Sequence, residues 1–387
     1  MNFLSKPARQ LAGLLSLALM ASAVAAETDY PTRDGMGVRF SDDLSFQLGM
    51  RVHGDAVIYD DDVTPLSDDQ DFRRARLGGT VNWSDWRLRA DYDFGVSSGW
   101  KSAYLQYRGL RRQRITLGNQ VAPFSLEDLT SSNSLPLMER SVASALSPGM
   151  LFGLSYKTWG DRWSLQAGLF EDELSDLGRR RMPGKSVVGR FTVAPVKSKY
   201  ATLHLGFAGE YRDIDGGEDV RLRARPGTRL TDTRLVDTRS IADVSEATTA
   251  GFELAAAWRG FRVQGEALRS DLDRDAGDLK FEGQYVLGSV LLGGGRYRYS
   301  RSSGTFRAVK PKSRWGVVEL AGRIARVDLW YADIRGGEQI ETTFGLNWIL
   351  NEQMRVMLNY TDVDASPNRD GVDENPSLMS MRLQFAI

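Results

Sequence analysis

The chain has 387 residues, 50 of them basic and 50 acidic, and it contains no cysteine. A charged fraction of 26% argues against a helical membrane protein, and no apolar run beyond the N-terminus is long enough for a membrane-spanning helix. The lack of cysteine fits a fold closed by backbone pairing rather than by disulfides.

The N-terminus has the features of a secretory signal peptide over residues 1–26. Lys6 and Arg9 precede an apolar stretch at 11–20, and small residues at 23–26 offer a cleavage site. The alternative is a membrane anchor, for which the apolar stretch is too short. No shift in composition marks a second domain, so residues 27–387 are predicted to form one barrel domain.

Residues 86–94 show the pattern that dominates the chain. Apolar or aromatic residues occupy the even positions, and the odd positions carry Arg87, Arg89, Asp91 and Asp93. A period of two predicts a β-strand with one apolar and one charged face. Because the pattern recurs to the last residue, it favours a closed transmembrane barrel, with the apolar face toward lipid and the charged face toward water.

Similar strands follow one another along the chain. The first is predicted over 44–59 and the second from Phe72, and the tight turn at 83–86 places a Trp on either side, as in an interfacial aromatic girdle. Later strands include 316–323 and 325–334, and the last, 378–387, must pair with the first to close the barrel. Between fourteen and eighteen strands fit the pattern, and sixteen is the expected number.

Two segments interrupt the alternation. Residues 123–148 hold three prolines and several apolar residues, which favours folding into the lumen as a constriction over an external loop. Residues 213–248 are polar and carry Arg221, Arg223 and Arg225 at alternate positions. A solvated external loop with balanced charge is one interpretation of this second segment, and a functional role is the open alternative.

The sequence gives no sign of catalytic or metal chemistry. His53 and His204 are the only histidines, and neither has a second histidine or a cysteine at metal-ligand spacing. The glycines at 293–295 are not followed by the Lys-Ser/Thr of a phosphate-binding loop. We therefore predict no catalytic residue, no metal and no cofactor, and no enzymatic activity.

Arginine recurs on the predicted lumen face. Its planar, always charged fork of donors suits carboxylate and phosphate oxygens, so arginines along a pore favour anions. Pairing with lumen aspartates to hold the wall is the alternative for any single residue. The arginines on this face are Arg51, Arg74, Arg76, Arg87, Arg89, Arg108, Arg114, Arg190 and Arg262.

Several motifs resemble those of the phosphate-selective porin O and P family, over nearly the whole mature chain. The most specific is the segment from Pro123-Phe124-Ser125-Leu126-Glu127 through Thr130-Ser131-Ser132 to Met138-Glu139-Arg140-Ser141. The others are Asp71-Phe72-Arg73-Arg74-Ala75-Arg76, Ala90-Asp91-Tyr92-Asp93-Phe94-Gly95, Val309-Lys310-Pro311-Lys312 and Gly345-Leu346-Asn347-Trp348.

The resemblance implies a sixteen-stranded outer-membrane barrel, usually a homotrimer, in which an inward third loop and basic residues draw phosphate or polyphosphate through. It places Arg73 and Arg74 near the constriction, with Asp93, Ser131 and Ser132 close by. It also makes Arg221, Arg223 and Arg225 part of an arginine track, and Lys310 and Lys312 basic residues of the later strands. Family members often carry a lysine just before the Pro-Phe motif, but residues 119–122 contain none.

The sequence thus predicts an all-β porin of the bacterial outer membrane that contacts outer-membrane lipid and binds no nucleic acid. Its pore is expected to pass phosphate, pyrophosphate and polyphosphate. A general or carboxylate-preferring porin and a non-conducting structural or adhesive barrel are the alternatives. The full set of expected pore-lining residues is Arg73, Arg74, Arg76, Arg87, Arg89, Asp93, Ser131, Ser132, Arg221, Arg223, Arg225, Lys310 and Lys312.

Overall fold

The structure, a computed structural model, describes residues 31–32, 35–175, 180–216 and 218–387. The predicted signal peptide lies outside the described residues. In the described part of the chain, no helix is long and apolar enough to cross a membrane.

Sixteen antiparallel strands, each paired with its neighbours in sequence, form one large sheet. The first eight are β1 (Leu44–Asp60), β2 (Asp69–Trp83), β3 (Trp86–Asp93), β4 (Gly99–Tyr107), β5 (Gln113–Val121), β6 (Met150–Trp159), β7 (Trp163–Glu171) and β8 (Lys185–Lys197). The second eight are β9 (Ala201–Asp213), β10 (Val244–Trp258), β11 (Phe261–Arg274), β12 (Leu279–Leu292), β13 (Val317–Tyr331), β14 (Ile334–Ile349), β15 (Met354–Asp364) and β16 (Ser377–Ala386).

The sheet closes on itself because β16 pairs with β1. The register runs from Ser377 opposite Asp60 to Ala386 opposite Arg51. Beyond it, the Ile387 amide donates to the Met50 carbonyl at 2.9 Å and the Met50 amide donates to the Ile387 carbonyl at 3.0 Å. Closure leaves no long unpaired edge and confirms the predicted antiparallel barrel of sixteen strands.

Within the described residues, seven shorter strands are present in addition to the sixteen strands of the barrel. Gly35–Arg39 pairs with the beginning of β1, and Pro31–Thr32 pairs with Gly35–Arg39. Arg180–Arg181, Arg221–Ala224 and Val236–Asp237 form a separate three-stranded sheet, and Arg298–Ser300 with Thr305–Arg307 forms a small hairpin.

The two faces of the strands separate by polarity as the alternation predicts. Trp86 and Leu88 on β3 are 41% and 53% exposed on the outside, whereas Asp91 and Asp93 are buried inside. Turns of two or three residues at 84–85, 160–162, 198–200 and 259–260 all lie at one end. Exposed aromatics cluster there, namely Trp83, Trp86, Trp163, Tyr200, Trp258, Phe261, Trp315 and Trp348. An apolar outer wall with such a girdle is the surface that a bilayer requires.

One predicted strand boundary is wrong. The segments 316–323 and 325–334 were expected to be two strands, but residues 317–331 form the single strand β13 and the turn falls at 332–333. Ile324 sits in the middle of β13, pairs with Thr342, and is 61% exposed on the outer wall. Because neither Gly nor Pro interrupts the alternation at this point, nothing stops the strand there.

Gly316, just before β13, fixes the start of that strand. Its φ is +80°, and a Cβ at this position would lie 2.2 Å from the Ile349 carbonyl oxygen. We expect Gly316→Ala to lower the free energy of unfolding by about 2–3 kcal/mol, because both backbone strain and a backbone clash oppose it. The temperature at which the folded barrel changes mobility in an SDS gel measures this effect.

Gly294→Ala is the matched control for that substitution. Gly294 also has a positive φ, +95°, but no atom lies within 4 Å of its Cβ position. It therefore reports the conformational cost alone, which we expect to be about 1 kcal/mol. Equal shifts for the two variants would show that the clash with Ile349 is relieved at no cost.

Candidate functional site

The connection between β5 and β6, residues 122–149, packs against the inner wall of the barrel. It contains a short helix, α1 (Leu126–Leu129), and a 3₁₀ turn, Val142–Leu146. The backbone amides of Leu126 and Glu127 donate to the carboxylate of Glu266 on β11, at 3.0 and 2.7 Å. The inward-facing carboxylate of Glu266 thus accepts from backbone N–H groups that have no partner within the helix.

Side chains of β13 to β16 hold the rest of this segment by its backbone carbonyls. Arg323 donates to the Glu139 carbonyl at 2.9 Å, and Arg382 donates to the Met138 carbonyl at 2.5 Å. Asn347 and Arg355 reach the carbonyls of residues 136 and 135 at 2.6 and 2.7 Å. These charge-assisted and buried contacts make the second half of the barrel a fixed support for residues 122–149.

The opposite side of the segment faces a cavity of about 210 Å³ against the wall formed by β1, β2 and β4. Its lining is strongly basic, with eight basic and three acidic side chains. The basic residues are Arg51, Arg73, Arg74, Arg76, Lys101, Arg140, Arg180 and Arg229, and the acidic residues are Asp93, Asp128 and Glu173.

Three of these cations have no carboxylate partner among the described residues. Arg74 forms no hydrogen bond or ion pair with any described residue, although its side chain is buried. The Arg51 guanidinium donates only to the Ser132 hydroxyl, at 2.9 Å, and the Lys101 ammonium only to the Ser97 carbonyl, at 2.7 Å. Their positive charges are therefore not cancelled by the protein at short range.

The neighbouring carboxylates, in contrast, are tightly held. Asp93 accepts hydrogen bonds from the Ala75 amide at 3.0 Å and from Arg76 at 3.2 Å. Glu139 accepts a bidentate pair from Arg73, at 2.5 and 2.9 Å. Burial alone would raise the pKa of Glu139, but the positive charges of Arg73 and Arg382 hold that pKa well below its usual range. The carboxylates stay ionised and fully engaged, so the excess charge facing the cavity is positive.

A second, smaller cavity of about 60 Å³ lies between residues 122–149 and the connection 214–243. Arg223, Arg225 and Arg234 line it. Burial is the main cause that lowers the pKa of Arg234 to about 9, and the crowding of positive charge from Arg225 and Arg223 lowers it further. An anion placed here would relieve that crowding.

The connection 214–243 is folded rather than simply solvated. Val220, Leu222, Val236 and Ile241 are fully or almost fully buried and pack in the same core as residues from the 122–149 segment. This burial contradicts the interpretation of the whole segment as a solvated external loop. The polar composition of the connection conceals this buried core in the sequence, because its apolar residues are few and widely spaced.

The sequence of residues 46–387 matches the family model for phosphate-selective porin O and P. The chain belongs to the phosphate-selective porin O and P family. This porin is therefore an outer-membrane β-barrel, and its family and fold indicate a channel rather than an enzyme.

Solved structures with the same fold are distant in sequence. The outer membrane channel DcaP of Acinetobacter baumannii is 11% identical with a TM-score of 0.56, over 91% of this chain and 100% of that one. The anion-selective porin from Comamonas acidovorans is 14% identical with a TM-score of 0.54, over 89% and 100%. OmpT of Vibrio cholerae, in its trimer form, is 12% identical with a TM-score of 0.54, over 89% and 100%. Comparison with curated proteins gave no match.

The predicted site residues of the porin fall into separate groups. The first cavity brings together Arg73, Arg74, Arg76, Asp93, Ser131 and Ser132. Arg223 and Arg225 line the second cavity, whereas Arg221 pairs with Asp237 at 2.5 Å and lines neither. Arg87 donates to Asn82 at 3.0 Å and Arg89 to Asp91 at 2.8 Å, and neither lines the two cavities.

The assignment of Lys310 and Lys312 to strands is wrong. Both lie in the long connection 293–316 at the end of the barrel that carries the short turns, and Lys310 pairs with Glu352 in the neighbouring turn. Pro311 between them has no amide N–H to donate to a neighbouring strand, which disfavours a strand at this site.

Several lining residues were not found from the sequence, among them Lys101, Arg140, Arg180 and Arg229. Lys101 turns inward because the pairing of β3 with β4 shifts register between Ala90 and Tyr92. Counting back from the outward-facing Leu105 with a period of two would place Lys101 on the lipid side and Trp100 in the lumen. This unfavourable placement is the signal in the sequence for a shift of register near these two residues. Within the described residues, no three His, Asp or Glu side chains come together as metal ligands.

Proposed function

We propose that this porin lets phosphate and its polymers, pyrophosphate and polyphosphate, diffuse passively through the gap between residues 122–149 and the wall of β1, β2 and β4. Residues 122–149 narrow the lumen in this proposal. The observation that carries it is the set of cations without carboxylate partners, Arg51, Arg74 and Lys101, beside carboxylates that are each held by arginine or backbone donors.

The energies involved suit a channel. A unit anion about 4 Å from one guanidinium is attracted by about 1 kcal/mol in bulk water and about 4 kcal/mol at an effective dielectric constant near 20. Several sites of this strength in sequence admit an anion and also release it. Arginine forks and the hydroxyls of Ser131 and Ser132 provide the donors that tetrahedral phosphate oxygens accept.

A pore with a general or carboxylate preference is the second candidate. The pairing of Arg73 with Glu139 and of Arg76 with Asp93 favours this candidate, because two arginines of the cavity are then neutralised by carboxylates. Residues 119–122, just before the Pro-Phe motif, are uncharged and add no cation to the cavity. We also propose a homotrimer, since the similar OmpT structure is described as a trimer form.

Reversal potential in a planar bilayer under a potassium chloride gradient tests the proposal, followed by titration of phosphate into the same bath. We expect anion preference and a chloride current that phosphate blocks. Anion preference without block would support the general anion pore. Cation preference, or no conductance, would contradict both candidates.

A further inference from the structure

The end of the barrel with the short turns contains a basic pocket that is distinct from the two cavities beside residues 122–149. It measures about 250 Å³ and lies between the turn joining β8 to β9 and the connection 293–316. Its lining includes five basic side chains and no acidic one. The five are Lys197, Lys199, Arg296, Arg298 and Arg307.

The composition of the connection explains this excess of positive charge. Residues 293–316 include seven lysines and arginines and no aspartate or glutamate. Arg296, Tyr297, Arg298 and Tyr299 alternate, and the tyrosines are anchored inward. The Tyr297 hydroxyl donates to Glu319 at 2.7 Å, and the Tyr299 hydroxyl is 2.7 Å from the Nδ1 atom of His204. With the tyrosines fixed against the barrel wall, the two arginines line the pocket.

Further contacts hold the pocket in place. Arg190 donates to the carbonyls of Ser303 and Gly304 at 2.8 and 3.0 Å, at the tip of the hairpin. The Arg259 amide donates to the Tyr200 carbonyl at 2.7 Å, and the Tyr297 amide donates to the Arg259 carbonyl at 3.1 Å. Two turns and the connection are thus joined through their backbones, so the basic side chains project from a preformed frame.

Two acidic residues of this end, Asp161 and Glu352, are engaged outside the pocket. Asp161 accepts from Arg301 and Arg112, each at 2.9 Å, and Glu352 pairs with Lys310. Among the described residues, Lys197 and Arg296 form no hydrogen bond or ion pair. Lys197 and Arg296 therefore remain available to a ligand, and the five basic side chains together favour one that carries more than one negative charge.

We propose that this pocket binds the phosphate of an anionic ligand, either a phospholipid headgroup of the periplasmic leaflet or a soluble oligophosphate. Short turns face the periplasm in bacterial outer-membrane barrels. The rim favours the lipid, because Tyr200 and Trp258 are 52% and 56% exposed at the aromatic girdle. Lys199 and Arg259 stand over these two rings at 5.2 and 5.0 Å. Basic pockets between transmembrane helices recognise the phosphates of lipid headgroups, and the basic side chains of this pocket offer the same chemistry.

The double variant Lys197→Gln/Arg296→Gln tests the pocket with two probes. Native mass spectrometry of the detergent-solubilised porin counts retained phosphatidylglycerol, with phosphatidylcholine as the neutral-headgroup comparison. Isothermal titration measures binding of inorganic tripolyphosphate, in an Arg51→Gln/Arg74→Gln background that removes two cations without carboxylate partners from the first cavity. We expect the affinity for one of the two probes to fall about twenty-five-fold, which is about fivefold for each charge removed.

Lys280→Gln/Arg335→Gln is the matched control, because both residues lie on β12 and β14 near the other end of the barrel. Loss of phosphatidylglycerol identifies a lipid site, and loss of tripolyphosphate identifies a soluble ligand. Unchanged binding of both probes in the Lys197→Gln/Arg296→Gln variant overturns the proposal. The reversal potential of that variant with Arg51 and Arg74 intact should equal the wild-type value, so failure of this inference is separate from failure of the proposed anion passage.

Discussion

Replacing Arg51 and Arg74 together by glutamine is expected to weaken the phosphate block of the chloride current by about ten- to a hundredfold. Each substitution removes a cation that has no carboxylate partner, so the lost attraction is not offset by release of an internal ion pair. Two charges at about 1 kcal/mol each give the middle of this range. The half-blocking phosphate concentration in a planar bilayer measures it, and the reversal potential should move toward the value of an unselective pore.

Arg239→Gln serves as the control for this double variant. Arg239 is an exposed arginine of the connection 214–243, paired with Asp370 at 2.7 Å, and it lines neither cavity. The Arg239→Gln variant loses a positive charge that does not line the proposed path of the anion. The phosphate block of the chloride current and the reversal potential should therefore stay at the wild-type values. A loss of block in the control equal to that in the double variant would assign the effect to overall charge and contradict a local site.

The fold was largely predictable because a barrel wall imposes its pattern on each strand separately. On β3 the alternation of aromatic and charged residues gave the correct faces, and the Trp pair at 83 and 86 located a real two-residue turn. The error at Ile324 has the same physical origin. A strand can continue through any residue with a suitable outward side chain, so alternation shows which face a residue occupies better than it shows where a strand ends.

The site was only partly predictable, because pairing across the barrel leaves no local trace in sequence. Arg73 and Arg74 are adjacent and look equivalent, yet Arg73 is neutralised by Glu139, 66 residues away, and Arg74 is not. Similarly, Arg190 was a candidate lumen cation, but it forms a buried pair with Glu253 at 2.6 Å. Which arginines remain free depends on where residues 122–149 and 293–316 dock, and that depends on the closed barrel.

Arg382→Met is the second substitution with a large expected effect, because one guanidinium joins the wall to residues 122–149. Arg382 is fully buried and binds Asp55 at 2.6 and 2.7 Å, Glu139 at 3.0 Å and the Met138 carbonyl. Methionine fills similar space but leaves Asp55 as a buried, unpaired charge. We expect a loss of about 3–5 kcal/mol in unfolding free energy and a larger, noisier single-channel conductance as the segment loosens.

The double variant Asp55→Asn/Arg382→Met separates these two effects. Removing the orphaned charge of Asp55 should recover at least half of the lost stability, measured by the temperature of the mobility shift in an SDS gel. Conductance should stay raised, because the contacts of Arg382 with Met138 and Glu139 are still missing. If conductance returned to the wild-type value along with stability, Arg382 would act only through its pair with Asp55. The anchoring of residues 122–149 would then rest on contacts that do not involve Arg382, among them those of Glu266, Arg323, Asn347 and Arg355.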